Sequence, residues 1–297
     1  MTWFVFSLFS ILFWSGSDLF SKMGSKPSDT YSHWKMIIAV GAVMGLHGIY
    51  MVATGTPFAF GDILTYLPAS LLYILAMILG YAGLRYIELS VSSPICNSSG
   101  AVAAVLCFVF LKQAMTGLQL AAVALICLAV LLLSLLEKRQ GDAERAERQE
   151  KNLIKYQKSV WAILFPILYC IIDGLGTFAD ALLLDTRIAE EQANIAFEFP
   201  FLFMAVCAFI YVVVVKKQRF RLWDEKPKFA AALVETAGQF TYIFAIGGNA
   251  VVAAPLISSY CVFSVLWSRI FLKEKLSWKY YAVIGLAVAG IAILGME

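Results

Sequence analysis

Runs of about twenty consecutive apolar residues recur along this chain, and that feature limits what it can fold into. A helix rising about 1.5 Å per residue crosses a hydrocarbon core of roughly 30 Å in about twenty residues. Of the 297 residues, 61% are hydrophobic and 14% are charged; a soluble domain carries about 25% charged residues. One soluble core of this size could not hide so much apolar surface. A soluble enzyme, a nucleic-acid binder and a disordered protein are thereby excluded. Strands of a membrane barrel would alternate apolar and polar over about ten residues, whereas these runs are apolar all round. The expected fold class is an all-α membrane protein in contact with the lipid bilayer.

Ten transmembrane helices are read, at 2–21, 34–54, 63–84, 89–111, 117–136, 159–183, 192–215, 229–247, 250–272 and 277–296. The first has no basic start, and Trp14-Ser15-Gly16-Ser17-Asp18-Leu19 is a poor cleavage site, so it is kept as a span. Lys112–Thr116 and Gly247-Gly248-Asn249 are expected to be tight turns. The polar stretch Glu137–Lys158 separates two units of five spans, giving a first repeat at 1–136, a charged linker at 137–158 and a second repeat at 159–297. With the N-terminus outside, 21 of the 23 Lys and Arg residues fall on one side, leaving only Lys112 and Arg187 on the other. The positive-inside rule then predicts both termini outside and the linker in the cytoplasm. A bacterial plasma membrane is the expected location.

Shifting the chain by 161 residues superposes its halves. Val91, Pro94 and Ser98 meet Val252, Pro255 and Ser259; Phe110-Leu111-Lys112 meets Phe271-Leu272-Lys273; Tyr81 meets Tyr242. Gly16 and Phe20 lie near register with Gly174 and Phe178. Five spans is an odd number, so the second unit must cross in the opposite sense. An inverted repeat of this kind is a design of secondary transporters, with substrate held near the midplane.

The motifs extend the reading. Phe13-Trp14-Ser15-Gly16-Ser17-Asp18, Tyr81-Ala82-Gly83-Leu84-Arg85-Tyr86 with Val91 and Pro94, Ala253-Ala254-Pro255-Leu256, and Phe271-Leu272-Lys273-Glu274-Lys275-Leu276 resemble stretches of the drug/metabolite transporter superfamily, in its EamA-type branch. Gly285, Gly290 and Leu294 resemble its last span. The resemblance implies alternating access through a central cavity lined by spans other than the fifth and tenth. It fixes no substrate. The chain departs from the pattern at Gln113, where an acid is usual, and at Asp18, where a neutral residue is usual. The superfamily tends to keep both termini in the cytoplasm, against the charge distribution here.

Ionisable residues inside a membrane are costly and mark function by default. Here they are acidic: Asp18, Asp173, Asp180, Glu198 and Glu235, with His47 and no Lys or Arg in the middle third of any span. Glu198 and Glu235 lie deepest, and Asp180 is placed near the outer surface. Glu235 and Gln239 share a helix face. Trp14, Tyr50, Tyr73, Tyr81, Tyr169, Tyr242 and Tyr260 lie within spans, and aromatic faces attract ammonium groups. Asn97 adds a polar candidate. The expected substrate-binding set is Glu198, Glu235, Asp173, Trp14, Tyr81, Asn97, Tyr169, Gln239, Tyr242 and Tyr260, with Glu198 and Glu235 carrying protons.

The function expected is secondary active transport of a small cationic or zwitterionic metabolite, such as an amine or amino acid, coupled to protons. The alternative is exchange of an anionic or sugar-containing metabolite, which wants a buried Lys or Arg. An intramembrane enzyme lacks its motifs, since Asp173-Gly174-Leu175-Gly176 has the wrong order for an aspartyl protease and no His-Glu-x-x-His occurs. A channel would want a ring of like residues. No cofactor or metal is expected, because the six cysteines all fall in apolar runs without paired spacing. Gly285 and Ala289 give small-residue spacing that suits a homodimer through the last span.

Overall fold

Backbone N–H and C=O groups must be satisfied internally in hydrocarbon, which leaves helices or a closed barrel. The computed structural model describes residues 2–24, 29–83, 95–147, 164–273 and 276–296. They form α1 (Thr2–Gly24), α2 (Ser32–Ala53), α3 (Phe60–Gly83), α4 (Ser99–Phe110), α5 (Gly117–Glu147), α6 (Leu164–Thr186), α7 (Glu190–Phe209), α8 (Lys226–Ser258), α9 (Tyr260–Phe271) and α10 (Trp278–Gly295). No strand occurs among the described residues. The motif residues 84–94 and Glu274-Lys275 lie outside them, as does the linker beyond Glu147 up to residue 163.

Among the described residues, seven stretches are long and apolar enough to cross a membrane, the longest being the 50 residues Leu222–Phe271. The ten separate spans expected from sequence are therefore not all present as separate long helices. Those at 229–247 and 250–272 share this one stretch, and the one at 89–111 is described only from residue 95.

The expected tight turn at Gly247-Gly248-Asn249 falls at the break within α8, where Asn249 leaves the helical region (φ −166, ψ 82). The chain doubles back there, since Gly238 before it and Tyr260 after it both meet Trp14. The two glycines serve close approach. A Cβ on Gly248 would stand 2.6 Å from Cβ of Trp3, and one on Gly247 would stand 2.9 Å from Oε1 of Glu190. Beyond the break, the Val251 N–H donates to Oε1 of Gln113 at 3.1 Å. Helix starts leave such donors without a helical partner, and a neutral amide at position 113 satisfies this one.

The two halves fold alike. α4 and α9 are both 12 residues long and stand 161 residues apart. Each follows a serine, Ser98 or Ser259, in helical conformation. Each is followed by a lysine in the left-handed region, Lys112 (φ 52) and Lys273 (φ 57). The packing is reciprocal as well: α1 lies on α8 and α9, α6 lies on α3 and α4, α2 pairs with α7, and α5 pairs with α10. In the α2–α7 seam the approach is close enough that a Cβ on Gly41 would fall 2.2 Å from the Phe201 carbonyl oxygen. The surface is apolar, with side chains such as Leu46 and Phe203 exposed by 67% and 72%. Gly285 and Ala289 lie on this surface.

At the end of the bundle where α1 stops and α2 and α8 start, buried charges tie three segments together. Lys228 donates to the Gly24 carbonyl oxygen at 2.8 Å and to Glu225. Lys35 donates to Asp29 at 2.6 Å and stands 3.4 Å from Glu225. Lys228 and Glu225 are buried, so removing Lys228 leaves the Glu225 carboxylate with Lys35 alone. Breaking a buried pair in this way costs about 3–5 kcal/mol. Lys228→Ala is expected to lower stability by about that amount, read as a drop in the thermal unfolding midpoint in detergent.

Burial pushes the Asp29 carboxyl up, but hydrogen bonds from Lys35 and the Tyr31 N–H, with the charges of Lys35 and Lys228, together outweigh it and hold the group below its ordinary 3.8. A depressed carboxylate stabilises the fold above its unfolded value, and that contribution is lost as pH falls through the folded value. Unfolding midpoints of wild type and Asp29→Asn should therefore differ by a constant amount at neutral pH. They should converge as pH drops below about 4.

Candidate functional site: an acidic cavity between the two halves

Helices α1, α2, α3, α4, α6, α7, α8 and α9 enclose a cavity of about 320 Å³, and no residue of α5 or α10 lines it. This is the low end of small-molecule pockets, about 300–1,000 Å³. Its lining includes Asp18, Asp173 and Glu235 and, among the described residues, neither Lys nor Arg.

The first wall comes from α1, α8 and α9. Trp14 and Asp18 are four apart on α1 and share a face. Trp14 lies 5.0 Å from the Tyr242 ring and 5.8 Å, edge-on, from the Tyr260 ring. Gly238 makes room for it, since a Cβ there would stand 2.3 Å from the indole Cδ1. Asp18 is exposed and accepts from the Ser264 hydroxyl at 2.6 Å. Glu235 is half-buried, with Ser17 within hydrogen-bond reach. Gln239, one turn further along α8, is 5% exposed, and its Nε2 has no partner among the described residues.

The facing wall comes from α6 and the start of α4. Tyr169 and Asp173 line it, again four residues apart, with Asn97 and Ser99 alongside. Ser99 hydrogen-bonds Asp173. Gly174 lets the helices close up, because a Cβ there would stand 2.8 Å from Val102.

One end of the cavity is shut by a hydroxyl–carboxylate network. Tyr73, Thr177 and Tyr242 line the cavity. The Tyr73 hydroxyl pairs with that of Tyr242 at 2.8 Å, and Tyr242 donates to Thr177 at 3.0 Å. Behind them Asp180 accepts from Tyr66 at 2.5 Å and from Tyr73 at 2.6 Å. Asp180, expected near the outer surface, is fully buried, because α3 lays two tyrosines across it. Sequence reading missed Tyr66 and Thr177. The signal was there: Tyr66 and Tyr73 are seven apart and Thr177 and Asp180 three apart, both same-face spacings on a helix.

Of the ten expected binding residues, Trp14, Asn97, Tyr169, Asp173, Glu235, Gln239, Tyr242 and Tyr260 line this cavity. The side chain of Tyr81 lies outside the described residues. Glu198 is not in the lining. It sits on another face of α7, fully buried, with Oε1 2.7 Å from Nδ1 of His47 on α2. Gly48 stands beside it, such that a Cβ would be 3.1 Å from Oε2. Its neighbours in sequence, Phe197 and Phe201, take the cavity side instead. Depth along a helix did not reveal which face of α7 turns inward.

A helical bundle of two like halves around a polar cavity, with an apolar exterior, is the form of a membrane transport protein. The family model of the EamA-like transporter family matches residues 1–135 and again 160–296. The chain belongs to that family, within the drug/metabolite transporter superfamily. It is an integral membrane protein and a membrane transporter of small molecules; members of the family are transporters, not enzymes. No curated protein matches the chain at a significant level. Among solved structures it is similar to one described only as the crystal structure of a protein, with a TM-score of 0.71 at 12% identity, covering 99% of this chain and 96% of that one. That likeness concerns the fold alone.

The Tyr66 hydroxyl serves a buried carboxylate, and hydrogen bonds to charged groups contribute about 1.5–3 kcal/mol. Tyr66→Phe is expected to destabilise the protein by about that amount, measured as a lowered thermal unfolding midpoint.

Proposed function

We propose that this protein is a proton-coupled secondary transporter of a small organic cation or zwitterion, working by alternating access. The observation that carries the reading is the lining itself: three carboxylates, several aromatic faces and, among the described residues, no basic side chain around one cavity. An anionic metabolite would meet no cation there. Substrate ammonium and proton compete for the same carboxylate, so release of one favours binding of the other, and Glu235 is assigned that exchange. Glu198, outside the lining, takes no part in holding substrate in this reading.

Ten crossings as two inverted five-helix repeats fit these elements. At about 1.5 Å per residue, the 50-residue stretch Leu222–Phe271 would be roughly 75 Å long if straight, more than twice a hydrocarbon core. It is broken at Asn249, and counting it twice and adding the shorter α3 and α4 brings seven candidates to ten. The cavity is lined by the C-terminal half of α1 and the N-terminal halves of α2 and α6. In that topology these halves share the side of the Lys- and Arg-rich connections, taken as cytoplasmic. The Asp180 network closes the other side, which makes this an inward-facing state.

Glu235→Gln in proteoliposomes is expected to reduce amine uptake driven by a pH gradient at least about tenfold, with Glu198→Gln much closer to wild type. Wild-type uptake and pH dependence in Glu235→Gln would contradict the assignment.

A further inference from the structure

The acids of the cavity are divided between two walls, and each wall repeats one arrangement. On α1, Trp14 precedes Asp18 by four residues; on α6, Tyr169 precedes Asp173 by four. Residues four apart share a helix face, and all four line the cavity. Each pair therefore offers one carboxylate and one aromatic face, the two features that hold an ammonium group. α1 packs on α8 and α9, which bring Glu235 and Tyr260 to the first pair. α6 packs on α3 and α4, and Ser99 of α4 steadies Asp173. The two acidic centres thus stand on different helices around one cavity, Asp18 and Glu235 on α1 and α8 and Asp173 on α6.

A single cation on one wall leaves the other wall's carboxylate uncompensated, and no Lys or Arg among the described lining residues supplies the balance. The side chain of Gln239 points to a ligand independently of the acids. It lines the cavity one turn from Glu235 and is 5% exposed, yet one end of its amide has no partner among the described residues. Buried polar groups are seldom left so. The two ends of an amide are interchangeable in assignment, so Gln239 can present its oxygen to an ammonium held by Glu235.

We propose that the cavity binds an organic dication, an alkyl diamine or polyamine, with one ammonium at Asp18, Glu235 and Gln239 and the other at Asp173 and Tyr169. The methylene chain between them lies over Tyr242 and the apolar side chains of α2 and α7, among them Met44 and Phe201. This assignment rests on the cation-transporter reading above and narrows it to a class of substrate.

The test compares putrescine with butylamine, which share a four-carbon chain and differ by one ammonium. Binding to the purified full-length chain in detergent is measured by titration calorimetry. Putrescine is expected to bind about tenfold or more tightly than butylamine, the effect of one added charge-assisted contact. Asp173→Asn should bring the putrescine affinity down to the butylamine level, read as a ratio of the two affinities close to one in that variant. Equal affinities for the two amines in the wild type would overturn the dication assignment and leave the cation reading standing. An unchanged ratio in Asp173→Asn would overturn the two-wall site in the same way. If neither amine binds while a sugar phosphate does, the cation reading falls with it. Should Asp173→Asn not fold, Tyr169→Leu is measured for the same ratio, and the wild-type comparison decides without either variant.

Discussion

Polar groups in a hydrocarbon medium must find partners within the protein, and this molecule is arranged around that demand. The backbone meets it by helix formation, and at the Asn249 break by the side chain of Gln113. Hydroxyls meet it by bonding carbonyls one turn back, as Ser7, Ser10 and Thr236 do. The carboxylates are the hardest to place, since each needs donors or water. Asp180 takes two tyrosine hydroxyls, Glu198 takes His47, and Glu225 takes two lysines. Asp18, Asp173 and Glu235 are partnered by serine hydroxyls and border open volume. The carboxylates thus fall into two groups, those closed in by protein donors and those beside the cavity.

The bundle is tied together differently at its two ends. Where α1 stops and α2 and α8 start, Lys35, Lys228, Asp29 and Glu225 bind three segments by ion pairs. At the other end of the cavity, tyrosine hydroxyls of α3 and α8 meet Thr177 and Asp180 of α6. Two like halves would make like closures if their side chains matched, and here they do not. In the proposed cycle, opening the tyrosine end breaks hydrogen bonds to one buried carboxylate, while the ion pairs hold α1, α2 and α8 together at the other. A change of state then moves one group of helices against the other instead of dissolving either.

Much of the fold could be read from residue pattern, because lipid makes length and apolarity nearly sufficient to define a helix. The repeat was legible too: the 161-residue shift found by matching Pro94 to Pro255 and Lys112 to Lys273 reappears as equal helices and paired left-handed lysines. What could not be read was rotation about each helix axis. An apolar helix has no polar stripe to show which face turns inward, so Glu198 was placed at the centre and Asp180 at the surface. Glu198 faces α2, where Gly41, Gly45 and Gly48 admit α7 closely, and Asp180 faces the tyrosines of α3. Where one helix carried several polar residues on a single face, as Glu235, Gln239 and Tyr242 do on α8, the inward side was correctly identified. The turn at Gly247-Gly248-Asn249 was legible from its glycines, and the chain breaks and reverses at Asn249.

The central claim is that an acidic cavity without basic residues selects for positive charge. It is tested most directly by reconstituting the protein in liposomes on a solid-supported membrane and recording currents on concentration jumps. Choline, amines and amino acids are compared with a sugar phosphate, with and without a pH gradient. The account predicts currents with cationic or zwitterionic solutes that change with the pH gradient, and none with the sugar phosphate. Currents with the sugar phosphate alone would contradict it.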